Sequence, residues 1–264
     1  MTHVPAQPPS PQAPQAFDEP RERRVALGLT ALVLVTLTVV KPLGGVPYVG
    51  AVGFTLAAAL QLYLPIWRAD RARAPLAAVG LSTSTWRRDL ALVGVLCAIT
   101  FPPYAILHHL YMTHLPVWVA KLGFYEIARF MPRAVLAPAW PRGLAGWGAA
   151  AWWLGGVVAS HLLGVALPEE TFFRGYLQPR LESRWQPRHR VFGVQLGLAA
   201  VVTAALFATG HFLGEWNPLR LGPFIPALLF AWLRNATGSV AGAVAYHGAC
   251  NVLGEVLFSL YRPI

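Results

Sequence analysis

Three short polar clusters interrupt long apolar runs in the C-terminal half of this 264-residue chain: Glu169-Glu170…Arg174, Phe207…His211 and His247…Asn251. Moving an ionisable group to membrane depth costs about 2.5–3.5 kcal/mol by insertion scales, so each cluster is a candidate functional site by default. Glu170 and Arg174 are four residues apart, share a helix face and can pair. Glu169 points about 100° away from Glu170, because a helix advances that far per residue. One carboxylate is then neutralised, and its neighbour is left to act as a general base or acid. His211 supplies an imidazole near the end of another apolar run. His247 and Asn251 share one face of a third run, where Gly242 and Gly248 permit close helix contact.

The spacing lets these groups meet. Residue 190 lies midway between Glu169 and His211, beside Pro187 and Arg188–Arg190, where a polar turn is expected. Residues equidistant from an antiparallel turn face each other at similar depth. A Glu and a His from separate helices can therefore converge, provided the helix bearing Glu169 continues to about Arg184 and past Pro179.

The elements that must position them are membrane spans. The chain is 56% hydrophobic and only 12% charged, where a soluble domain averages about 25% charged. Too few charges are present to cover a water-facing globule of this size. Ten Trp suit lipid–water boundaries. Seven apolar segments approach the roughly 20 residues of a spanning helix: about Val25–Val40, Val49–Trp67, Leu90–Leu110 with Pro102 and Pro103 inside it, Ala145–Leu167 running on into PEETFFRGYL, Val191–Phe212, Leu219–Leu233 and Ser239–Leu260. Between Tyr111 and Pro141, the stretch LPVWVAKLGFYEIARFM reads as an interfacial amphipathic helix. The expected fold is an all-α polytopic bundle of about seven spans, within six to eight.

Charge orients it. With the N-terminus cytoplasmic, Arg21, Arg23, Arg24, Arg68–Arg88, Arg174–Arg190 and Arg234 fall on the inner side. They outnumber the outer Lys and Arg two to one. The net charge of +10 is thus membrane topology, and nothing resembles a nucleic-acid-binding motif. Residues 1–24 are polar and Pro-rich and are expected as a disordered cytoplasmic tail. They are a poor match to a secretory signal, so the apolar run from Val25 reads as a retained anchor. Residues 25–264 form the membrane domain, with a motif-bearing core at about 145–260. Cys97 and Cys250 lie in apolar runs and read as small packing residues.

In this order, each on its own hydrophobic segment, EExxxR, FxxxH and HxxxN resemble the CPBP (CAAX protease and bacteriocin-processing, or Abi) family of glutamic intramembrane proteases. The resemblance covers roughly Trp152 to Leu260. It implies that Glu169, helped by His211, activates a water for peptide hydrolysis, that His247 and Asn251 stabilise the oxyanion, and that Glu170, Arg174 and Phe207 support them. It implies no cofactor and no metal. The partners are then a protein or peptide substrate with a membrane-associated C-terminal segment, and membrane lipid. Bacterial relatives include immunity proteins and myxosortase-like proteases. The Ala/Leu/Arg-rich composition suits a bacterial inner membrane and a myxosortase-like role.

Three other readings stay open on the residues alone. Glu169, His211 and His247 could hold Zn²⁺ with water as fourth ligand, although no HExxH is present. Buried Glu and His, with His161 and Glu255 added, could form a transporter or proton relay, although no inverted repeat is visible. A non-catalytic immunity or scaffold protein is the third. His108, His109 and His114 read as interfacial, Glu126 and Arg129 as a surface pair, and Trp147, Trp152 and Trp153 as an aromatic belt.

Overall fold

The computed structural model describes residues 19–264. Most of the expected disordered tail, residues 1–18, lies outside the described residues. The remainder, Glu19–Arg24, opens the first helix, α1 (Glu19–Val40). There Glu22 is buried, ion-paired with Arg68 and within 3.4 Å of the Tyr176 hydroxyl, which gives this polar stretch a packed partner.

Among the described residues the architecture is a helical bundle. After α1 come α2 (Val49–Arg71), α3 (Trp86–Thr113), two short helices α4 (Leu115–Lys121) and α5 (Tyr125–Ala128), and the long α6 (Gly143–Glu182). The bundle closes with α7 (Leu198–Phe212), α8 (Phe224–Thr237) and α9 (Ala241–Ser259). By length and composition α1, α2, α3 and α6 can each cross a membrane. The other three apolar segments are the shorter helices α7, α8 and α9. Large apolar side chains such as Leu32, Val35, Ile99 and Trp152 point outward, as a lipid-facing surface requires, while the core gathers Phe172, Phe173, Tyr176, Phe207, Phe230 and Tyr246. The expected surface pair forms, with Arg129 3.1 Å from Glu126 at exposed positions.

Two differences from the sequence expectation matter. The segment from Val191 does not begin a helix. His189–Val191 (β1) and Val194–Leu196 (β2) form an antiparallel hairpin, and α7 starts only at Leu198. Phe192 and Gly193 both adopt positive φ (45° and 80°), the conformation of a tight two-residue hairpin turn. The expected amphipathic helix breaks into α4 and α5 at Gly123, where φ is 85°. A second small pairing, Ala134–Leu136 (β3) with Tyr261–Pro263 (β4), fastens the C-terminal strand to this region.

The helix α6 is 40 residues long, about 60 Å at 1.5 Å per residue, twice a bilayer's hydrocarbon core. Its first half is largely exposed, whereas Glu170 to Gln178 is buried throughout. Two π-helical stretches, Ser160–Ala166 and Thr171–Leu177, flank a single α-helical turn, Leu167–Glu170. Prolines explain part of this. Pro168 has no N–H to give to the fourth preceding carbonyl, and the neighbouring Leu167 N–H bonds five residues back, to Leu162. Pro179 leaves the Gly175 carbonyl to the Arg180 guanidinium, 3.4 Å away. The helix therefore runs through both prolines to Glu182.

Candidate active site

The two carboxylates sit on that one α-helical turn of α6. Glu170 is fully buried, and its Oε1 accepts a hydrogen bond from Arg174 Nη1 at 3.1 Å. Arg174 is also fully buried. It donates through Nη2 to the Ala227 carbonyl at 3.2 Å, and its guanidinium carbon lies 4.4 Å from the Phe207 ring centre and 5.1 Å from that of Phe230. A cation in an apolar interior needs such a set of partners. The i, i+4 pair expected from spacing is present.

The same Oε1 of Glu170 lies 2.8 Å from His247 Nδ1, a contact the sequence did not suggest. His247 stacks on Phe230, with ring centres 4.7 Å apart, and turns its other nitrogen, Nε2, to 3.8 Å from Glu169 Oε2. Each ring nitrogen of one histidine thus faces one carboxylate of the Glu-Glu pair. Close helix packing makes this possible. At Gly248 of α9, a Cβ would come within 2.3 Å of Leu162 Cδ2, in the first π-helical stretch of α6. At Gly175 of α6, a Cβ would meet the Val79 carbonyl oxygen at 2.1 Å.

His211 ends α7. Its Nδ1 is 3.1 Å from the Phe207 carbonyl. A carbonyl only accepts, so Nδ1 carries the proton and Nε2 of the neutral ring is left as an acceptor. The Phe207 side chain fills the centre of the cluster, 4.6 Å from the His211 ring and 5.8 Å from His247. It holds the imidazoles apart and shields Arg174.

Two cavities meet at these residues. The larger, about 770 Å³, lies among α3, α7, α8 and α9, and is lined by Phe207, His211, His247 and Asn251 together with apolar and aromatic side chains such as Phe101 and Leu229. The smaller, about 270 Å³, lies among α1, α2, α6 and α7, and brings Glu169 and His211 to one wall with Lys41 and Gln61. His211 lines both. Lys41 and Gln61 were not singled out from the sequence. The available signals were a lone amide inside an apolar span and a lysine at a span's end. His161 and Glu255 line neither cavity. Among the described residues no three His, Cys, Asp or Glu side chains are arranged to hold a metal ion.

Residues 149–253, from α6 into α9, match the family model of the Rce1-like proteins, described as type II CAAX prenyl endopeptidases. Over these residues the chain is similar to the CPBP family. The matched CPBP segment takes in all three motifs, and helices α1–α5 lie outside it. No curated protein and no solved structure matches the chain. The matched family is described as one of endopeptidases, and the long apolar helices of this chain are those of an integral membrane protein.

Proposed function

We propose that the protein is a glutamic intramembrane endopeptidase. It hydrolyses a peptide bond near the C-terminus of a membrane-associated protein or peptide, using water activated by Glu169 and His211. The observation that carries this is the asymmetry of the Glu-Glu pair. Glu170 Oε1 holds both Arg174 and His247, leaving its Oε2 unpaired, whereas the Glu169 carboxylate makes no hydrogen bond at all among the described residues, and its buried Oε2 lies 3.8 Å from His247 Nε2. A buried polar group left unsatisfied in a native structure calls for an explanation, and a catalytic role is one.

The larger cavity receives the peptide, since it is wide, mostly apolar and carries a few convergent polar groups. Glu169 takes a proton as water oxygen attacks the scissile carbonyl carbon. His211 Nε2 accepts from the same water and orients it. Negative charge then develops on the carbonyl oxygen. Asn251 and His247 lie on one face of α9 beside that cavity and stabilise the oxyanion. With Nδ1 donating to Glu170, His247 acts through Nε2. A proton on Nε2 also makes the group of Glu169, Glu170, Arg174 and His247 electrically neutral, the arrangement a low-dielectric interior favours. Collapse of the intermediate breaks the C–N bond, and the proton held by Glu169 passes to the leaving amine. No Ser or Cys nucleophile is needed.

The test is cleavage of a panel of membrane-anchored substrates by purified protein. The panel includes prenylated CAAX-type termini and C-terminal sorting signals of the myxosortase type. Glu169→Gln should abolish cleavage while leaving the folded state intact. Retained cleavage in that variant sinks the mechanism. The substrate that is cut identifies the subgroup.

A further inference from the structure

We propose that the smaller cavity is a water chamber that supplies Glu169, separate from the larger cavity that admits the peptide. This rests on the protease reading above and assigns the site a second, hydrophilic entrance.

Two residues that line this space each carry a buried, unpaired oxygen. Glu169 Oε2 and Gln61 Oε1 are each without a hydrogen-bond partner among the described residues, and Gln61 is only 3% exposed. The Gln61 amide nitrogen reaches no further than the Ala57 carbonyl of its own helix, at 3.4 Å. A Glu169 carboxylate on this wall favours an occupant that donates hydrogen bonds and would repel an anion. Water meets both conditions and also accepts from Lys41. At about 30 Å³ per molecule in the liquid, a space of about 270 Å³ holds several waters.

The chamber also has a charged route outward. Lys41 Nζ lies 3.4 Å from Glu215 Oε1, and Glu215 Oε2 lies 2.5 Å from Arg220 Nε. Side-chain exposure rises along this chain from 11% at Lys41 to 32% and then 54%. Lys41 also donates to the His211 backbone carbonyl at 2.6 Å, so the entrance is tied to the imidazole it serves. Gly214 lets the loop after α7 approach α1 closely. Its φ is 85°, and a Cβ there would lie 3.0 Å from Lys41 Cβ and 3.1 Å from the Thr38 carbonyl. The larger cavity offers no comparable charged path, and its lining includes no Lys, Arg, Asp or Glu.

The experiment pairs labelling with kinetics. Gly164 lines the chamber, and an added Cβ meets nothing within 4 Å, so side chains can be grown there without a clash at Cβ. In a chain with Cys97→Ala and Cys250→Ala, Gly164→Cys should react with a small cationic methanethiosulfonate at least about tenfold faster than Val35→Cys on the lipid-facing side, because thiolate formation needs water. With a substrate that the wild type cleaves, Gly164→Val should lower kcat about tenfold or more with little change in KM, the pattern of a lost step after binding. Gln61→Leu, which removes one acceptor at similar volume, should lower kcat in the same sense, and it carries the kinetic arm if Gly164→Val does not fold. Labelling no faster than at Val35, or unchanged kcat in both chamber variants, overturns the proposal. Fast labelling in a protein that cleaves no member of the panel would keep the chamber and discard the protease reading.

Discussion

Replacing Arg174 by methionine tests whether the core of the site is held by electrostatics or by shape. Arg174 and Glu170 are both fully buried, and the variant leaves Glu170 with His247 as its remaining partner. Removing one partner of a buried ion pair costs about 3–5 kcal/mol, because the other charge is left uncompensated. Glu170→Gln alone leaves the buried Arg174 charge uncompensated in its turn and should also cost about 3–5 kcal/mol, toward the lower end because Arg174 has other partners. Arg174 would keep its bond to the Ala227 carbonyl and its position over Phe207 and Phe230. In the double variant Arg174→Met/Glu170→Gln the uncompensated charge disappears. Much of the loss should then be recovered, giving a coupling of about 2–3 kcal/mol, at the upper end for residues in contact. The assay is reversible unfolding of the four proteins in one detergent. If the two single losses simply add in the double variant, the pair is not coupled, and the argument that Arg174 exists to neutralise Glu170 fails. A second readout separates stability from chemistry. The double variant should remain poorly active, because a neutral amide in place of the Glu170 carboxylate cannot set the His247 ring in the same way.

Other consequences can be checked with the same protein. His211→Ala should reduce cleavage by about 10²–10⁴, the contribution of a positioned acid–base group, and Asn251→Ala by about 10²–10³, that of an oxyanion donor; a loss confined to one of them would break the shared-site reading. Gly248→Val should push α9 from α6 at Leu162 and cost about 1–3 kcal/mol by overpacking, with activity falling as His247 leaves Glu170; adding Leu162→Ala should restore part of both, since the clash is with that side chain. Incubation with a strong chelator should leave cleavage unchanged; reproducible loss that Zn²⁺ restores would favour the zinc reading of Glu169, His211 and His247.

What the sequence determined by itself was the class and the cast. Low charge and long apolar runs dictate a membrane helix bundle, because lipid leaves backbone groups no partner outside a helix or closed barrel. The three motifs stand out because Glu, Arg, His and Asn are costly at membrane depth. The Glu170–Arg174 pair followed from helical spacing alone. Local turn chemistry was harder to see. Phe192-Gly193 turns the start of the expected fifth span into a hairpin, and the polar residues Glu19–Arg24 become helical because Glu22 finds Arg68 and Tyr176 from other helices.

Tertiary structure decided the arrangement. Single-residue periodicity assumes 3.6 residues per turn, and α6 departs from it twice around its carboxylates. The register between α6 and α9 depends on Gly248 meeting Leu162, two residues far apart in the chain. That His247 reaches Glu170, 77 residues away, was therefore invisible to spacing. Gln61 and Lys41, unremarkable in the linear chain, become polar walls of a chamber only when α1 and α2 pack beside α6 and α7. A sequence lists groups that are expensive to bury; which of them share one burial place is settled by helix packing, because the energy that selects the contacts arises only once distant helices exclude lipid from between them.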